Sequence, residues 1–173
     1  LKIYLENKFN ITCFVRRKKI DIFNKKNLSK YFKNNKFDII IYLAAITSID
    51  RCEKFKLEAY KVNFKNLKNL YFASFDKERN PLYIFLSTDQ FYNSFKSNTE
   101  RKKKIFNYYA KTKLLSENFL ETKNSIILRT NFLGKSITKD RKSFSDFIYY
   151  NLKSKKNIYL ANDILFSPLA IKT

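Results

Sequence analysis

Two short stretches of this chain carry side chains able to move a proton. In Leu86-Ser87-Thr88-Asp89-Gln90-Phe91-Tyr92 an apolar run ends in two hydroxyls and a carboxylate. About twenty residues later comes Asn107-Tyr108-Tyr109-Ala110-Lys111-Thr112-Lys113. On a helix, Tyr109 and Lys113 share one face, one turn apart. A phenol has a reference pKa of about 10, high for proton exchange at neutral pH, and a neighbouring cation favours the phenolate and lowers that value. A hydroxyl such as Thr88 would hydrogen-bond a carbonyl oxygen and orient it against the phenol. The three groups together read as a device that delivers a proton to a developing alkoxide. The spacing alone is weak, because Tyr4/Lys8, Tyr92/Lys96 and Tyr149/Lys153 share it. Only Tyr109 opens a helix that follows a strand ending in Ser-Thr-Asp. On local features the bland alternative, an ordinary exposed helix face, stays open.

The elements that must position these groups alternate. Asn10 to Val15 is a short apolar run that reads as a strand, and Leu28 to Phe32 as one or two helical turns. Phe37 to Leu43 is nearly continuous and β-branched, as expected of a strand buried on both faces. Leu57, Tyr60, Phe64, Leu67 and Tyr71 recur at helical spacing and form a core stripe. Strands follow at Leu82 to Leu86 and Ser125 to Leu128, and helices at Tyr108 to Glu121 and Phe144 to Leu152. A last short strand is expected at Ile158 to Leu160. This alternation predicts an α/β, doubly wound parallel sheet, with ligands at the carboxyl ends of the strands. The positions to inspect are then Arg16, Ala44-Ala45, Thr88-Asp89 and Arg129-Thr130.

Composition narrows the classes of function. With 173 residues, 45% of them hydrophobic, one domain with a real core is expected. No apolar run nears the roughly 20 residues a membrane span requires. There is no His, which removes His-dependent nucleophilic catalysis and most transition-metal sites. Cys13 and Cys52 lie outside any CxxC pattern and read as incidental thiols of a reducing cytoplasm. No metal is expected. The net charge of +21 comes with abundant Lys, Asn, Ile, Phe and Tyr. Those residues are the products of AT-rich codons, so the charge is read as compositional drift rather than a nucleic-acid surface.

Beyond these local signals, the chain resembles the extended short-chain dehydrogenase/reductases, specifically the dTDP-4-dehydrorhamnose reductase group. The residues that carry the resemblance are Leu43-Ala44-Ala45-Ile46-Thr47-Ser48-Ile49-Asp50-Arg51-Cys52-Glu53, Val62-Asn63 and Ser87-Thr88-Asp89-Gln90. Further on are Asn107-x-Tyr109-x-x-x-Lys113-Leu114-x-x-Glu117, Arg129-Thr130-Asn131-Phe132-x-Gly134, Asn162-Asp163 and Phe166-Ser167-Pro168. The resemblance implies a Rossmann-type fold, with residues 1–130 forming an incomplete cofactor domain and 131–173 the start of a sugar-nucleotide-binding region. It makes Thr88, Tyr109 and Lys113 the catalytic triad, with Lys113 also on the nicotinamide ribose. Asp21-Ile22 would touch the adenine, and Ala44, Ala45 and Ile46 would line the cofactor. Thr88, Asp89, Arg129, Asn131 and Phe132 would face the nucleotide sugar, and Asn63 would brace the strand-end backbone. For Asp21 and Asn63 a turn or cap role is the alternative, and for Arg129 an ordinary strand-end charge. Arg16 and Arg17 follow a strand end without an acidic residue, which favours NADP(H) over NAD(H). The implied activity is reduction of a nucleotide-linked 4-keto sugar in the cytoplasm, with a homodimer left open. The alternatives are an epimerase of the same superfamily, or a binding subunit without catalysis.

Two departures from the family pattern shape this expectation. Gly134 is the one glycine, so the GxxGxxG loop and the strand before it are not in these residues, and the chain reads as an internal piece of a longer protein. Gln90 stands where related dehydratases carry a Glu, which argues for reduction over elimination.

Overall fold

In a computed structural model of the chain, residues 2–14, 24–75, 80–92, 99–101, 103–136, 143–160 and 168–170 are described. Three β-branched or aromatic runs form the main sheet: β1 (Ile39–Tyr42), β2 (Leu82–Leu86) and β3 (Ser125–Leu128). They pair in parallel in that order, with Ile41 beside Ile84 and Ile84 beside Ile126. Parallel neighbours need crossover helices. Here these are α3 (Ile49–Lys54), α4 (Lys56–Tyr60) and α5 (Asn66–Ser74) between β1 and β2, and α6 (Tyr108–Leu120) between β2 and β3. Preceding them are α1 (Lys2–Leu5) and α2 (Lys25–Asn34). The chain is thus an α/β protein with a parallel sheet and flanking helices.

The core forms on the face presented by Tyr42, Tyr83 and Phe85, against Leu28 and Phe32 of α2, Leu67, Leu70 and Tyr71 of α5, and Leu120 of α6. Tyr83 and Phe85 are fully covered, while Ile39, Ile126 and Leu128 are exposed. Burial of the strands on both faces is therefore corrected: among the described residues β2 alternates, because this cluster packs one face of the sheet.

The helix expected from Leu57 to Tyr71 is present, but its apolar stripe is corrected. Between α4 and α5 lies a π-helical turn, Lys61–Lys65, one residue wider than an α-turn. That extra residue offsets the apolar stripe by about 100°. Leu67 and Tyr71 are buried and Leu57 is exposed, so the stripe is not core throughout. Residues 10–14, expected in a strand, belong to none, and Phe14 instead packs edge-on to Tyr31 at 5.3 Å. Likewise 158–160 form no strand among the described residues, and Tyr159 is almost fully exposed.

Beyond β3, the short strands β4 (Asn131–Leu133) and β5 (Pro168–Ala170) pair in parallel as a second sheet. The helix α7 (Phe144–Lys153) begins with a capping box in which Ser143 and Asp146 each bind the other's backbone N–H.

Candidate active site at the carboxyl ends of the strands

Helix α6 starts at this end of the sheet because its first turn is capped twice. Asn107 accepts from the Ala110 amide at 2.7 Å, and Glu53 of α3 accepts from the Tyr108 amide at 2.6 Å. A carboxylate also suits the positive end of the helix dipole. Asn107 donates in addition to the Gln90 side chain at 3.3 Å, tying the helix start to the turn after β2. From there Tyr109, Lys113 and Glu117 descend one face of α6, a turn apart, and each meets a partner at a strand end.

The Tyr109 phenol faces the hydroxyl of Thr88, which is itself buried and accepts from the Gln90 amide at 3.2 Å. Burial raises the phenol above its ordinary pKa, opposed by the Thr88 hydroxyl, and Cys52 and Asp89 push it further up. The expectation that Lys113 lowers this pKa is corrected. The ammonium is turned away to the carbonyl of Leu86 and lies 4.2 Å from the centre of the Phe85 ring. Burial brings Lys113 itself down to about 8, with the charge of Glu117 acting in the opposite sense.

The loop after β1 is fixed from below by the π-helical turn. Asn63, 1% exposed, accepts from the Ile46 amide at 2.7 Å and donates to the Ile46 carbonyl at 3.1 Å. Its second amide hydrogen goes to Thr112 Oγ1 at 2.9 Å, and Thr112 donates to the Tyr109 carbonyl at 2.7 Å. One side chain therefore connects the Ala44–Ile46 backbone to the helix of Tyr109. The wide turn diverts two carbonyls from the regular helical pattern: Tyr42 donates to that of Val62 at 3.0 Å, and Ser116 to that of Asn63 at 2.8 Å.

The described structure thus brings together Thr88, Asp89, Tyr109, Lys113 and the Ala44-Ala45-Ile46 loop. Asn131 and Phe132 lie in β4, and the Arg129 guanidinium is turned toward Glu117. Arg16, Arg17, Asp21 and Ile22 lie outside the described residues, as do Asn162, Asp163, Phe166 and Ser167. Among the described residues no three His, Cys, Asp or Glu side chains gather as metal ligands. Reading the sequence missed Glu53, Thr112 and Ser116. For the last two a signal existed: small polar residues four apart, in line with buried Leu120, on the inner face of α6.

Residues 2–173 match the RmlD substrate binding domain. The chain belongs to this family. Among its relatives, the spore coat polysaccharide biosynthesis protein SpsK of Bacillus subtilis is 27% identical over 165 residues, 90% of this chain and 55% of that protein. A dTDP-4-dehydrorhamnose reductase of Aggregatibacter actinomycetemcomitans is 32% identical over 118 residues, 65% of this chain and 40% of that protein. The chain of this RmlD-family member thus spans about half the length of the curated relatives it matches. Of solved structures, a hypothetical dTDP-4-dehydrorhamnose reductase from Sulfolobus tokodaii superposes with a TM-score of 0.73 at 26% identity, covering 91% of this chain and 58% of that one. A dTDP-4-dehydrorhamnose reductase from Bacillus anthracis in complex with NADP shares the fold, with a TM-score of 0.72, 23% identity and coverage of 88% and 56%.

Proposed function

We propose that this chain carries the proton-donating face of a nicotinamide-dependent reductase that acts on the 4-keto group of a nucleotide-linked sugar. The observation that carries the reading is the approach of the Thr88 hydroxyl to the Tyr109 phenol at the end of β2, close enough to lower its pKa, with Lys113 buried one turn further along α6. Raised above its usual value, the phenol stays protonated at neutral pH. It remains a far stronger acid than the alcohol it would form, so proton transfer to a developing alkoxide runs downhill. Thr88 faces the phenol and would hold the same substrate oxygen. Lys113 is mostly charged at neutral pH, and a turn of its ammonium from the Leu86 carbonyl toward the phenol would stabilise the phenolate left behind.

The residues present fit the nicotinamide end of a dinucleotide. Ala44 and Ala45 present only methyl groups beyond β1, and the Ile46 backbone there is pinned by Asn63 so that a flat group can lie against it. When bound, the nicotinamide supplies the hydride that the sugar carbon receives. Ala44, Ala45, Ile46 and Lys113 would hold the cofactor, and Asp89, Asn131 and Phe132 the nucleotide sugar. NADP(H) is the preferred form, supported by the relative that binds NADP. Residues 1–130 would then serve the cofactor and 131–173 the sugar nucleotide. Among the described residues no helix is long and apolar enough to cross a membrane.

The test is Tyr109→Phe in the full-length protein, given NADPH and a dTDP-linked 4-keto sugar. Consumption of NADPH should fall by about 10²- to 10⁴-fold while NADPH still binds. Undiminished turnover in this variant would remove the reading. A parent protein that interconverts sugars without net loss of NADPH would be an epimerase instead.

A further inference from the structure

One guanidinium joins three parts of the site. Arg129 follows β3, and its Nε donates to Glu117 Oε1 at 2.8 Å and its Nη2 to Oε2 at 2.6 Å. Nη1 donates to the Tyr92 hydroxyl at 2.9 Å and to the Glu100 carbonyl at 2.7 Å. Four of the five N–H groups of the fork end on the protein itself. The guanidinium also lies 5.3 Å from the centre of the Phe91 ring and 5.9 Å from that of Tyr92.

Glu117 is equally committed. Its side chain is 2% exposed, with Lys103 approaching from the wetter side at 3.4 Å. Burial drives its carboxyl up, but the Arg129 hydrogen bonds and the neighbouring positive charges hold it below the usual range. The Ser87 hydroxyl stands close enough to lower it too, without a hydrogen bond of ordinary geometry. The pair therefore links α6, the end of β3, the turn that follows Thr88, and the returning residues 99–101 and 103–104, where the Lys104 amide donates to the Phe91 carbonyl at 3.2 Å.

We propose that Arg129, Glu117 and Tyr92 form a strut, anchored on the buried Glu117, that sets the Thr88 strand end against α6, and that Arg129 is a positioning residue with no contact to the nucleotide sugar. The proposal rests on the reductase reading for what is positioned. With one N–H left, the fork has no pair of donors to offer a phosphate or a diol. Removing either partner strands a buried charge, so the strand end and the helix are held together by both or by neither.

The test uses the full-length protein with NADPH and a dTDP-linked 4-keto sugar. Arg129→Gln and Glu117→Gln should each lower kcat about tenfold, with KM for the sugar within about twofold of the parent. The double variant should be no worse than the poorer single one, since both break the same link. An Arg129→Gln enzyme with intact kcat and KM raised about tenfold, beside a Glu117→Gln enzyme like the parent, overturns the proposal. Tyr92→Phe, which keeps the ion pair, serves if the buried variants do not fold. Its kcat should drop about threefold at constant KM, and a rise in KM alone overturns the strut. Hydrogen exchange without substrate separates this proposal from the reductase reading: Tyr92→Phe and Arg129→Gln should speed exchange at residues 87–92 and 103–104. Unchanged protection there sinks the strut whatever Tyr109→Phe has shown.

Discussion

Around the three-stranded sheet many polar side chains are buried and most of them partnered, though one sheet face leaves apolar residues exposed; among the described residues around β4, β5 and α7, Asp146 is buried and apolar side chains are exposed. Asn63, Thr112, Ser116, Glu117 and Lys113 all lie inside the first region, most with hydrogen bonds to named partners. In the second, Phe132, Phe144, Phe147, Tyr149 and Leu169 face outward, and Asp146 is the buried polar residue. The difference suits the task of the first region. A proton donor needs its groups held to within a fraction of an ångström, which buried hydrogen bonds provide.

Four variants probe that contrast. Tyr109→Phe is the most severe for turnover, a loss of about 10³-fold or about 4 kcal/mol of transition-state stabilisation, with thermal unfolding little changed. Asn63→Ala should cost about 2 kcal/mol in chemical denaturation, because it orphans the Ile46 amide, leaves the Ile46 carbonyl to the Cys52 thiol alone and loosens Thr112.

Lys113→Met should abolish activity yet stabilise the fold by about 2 kcal/mol, burial of the charge outweighing the lost hydrogen bond to Leu86. The sign follows from the pKa falling from 10.5 to about 8 on folding. Below 8 both states hold the proton and the full burial cost applies. Between about 8 and 10.5 the unfolded chain binds more protons, so stability of the parent rises with pH there and that of Lys113→Met does not. Turnover of the parent should decline on the alkaline side of about pH 8, as the buried Lys113 loses its charge. The mildest variant is Asp146→Ala. It removes acceptors for the Ser136 and Ser143 amides, each at 3.0 Å, and should cost about 1 kcal/mol with kcat unaltered. A large fall in kcat from that change would dissolve the distinction between the regions.

Much of this was legible in the residues. β2, α6 and β3 announce themselves through apolar runs bounded by caps, and Thr88 meets Tyr109 because a strand end and a helix start must coincide in a parallel α/β crossover. What stayed hidden was set by tertiary context. The sequence pattern from Leu57 to Tyr71 reads as one uninterrupted stripe, and nothing local marks the extra residue that the Tyr42 and Ser116 hydrogen bonds make tolerable. The direction of Lys113 was equally unreadable, since helix spacing places it near Tyr109 but only the Leu86 carbonyl decides where the ammonium points.

The wide turn at Lys61–Lys65 also bears on how this chain tolerates insertion and deletion. Removing one residue from the interior of a regular buried helix rotates everything beyond it by about 100° and ruins the packing. Here the same deletion would close a π-turn into a better α-helix. A chain lacking Phe64 would keep its helical content by circular dichroism, but α5 could not hold its core contacts and Asn63 its grip on Ile46 at once. Loss of a single codon is then a route by which this scaffold could part with its chemistry and still fold.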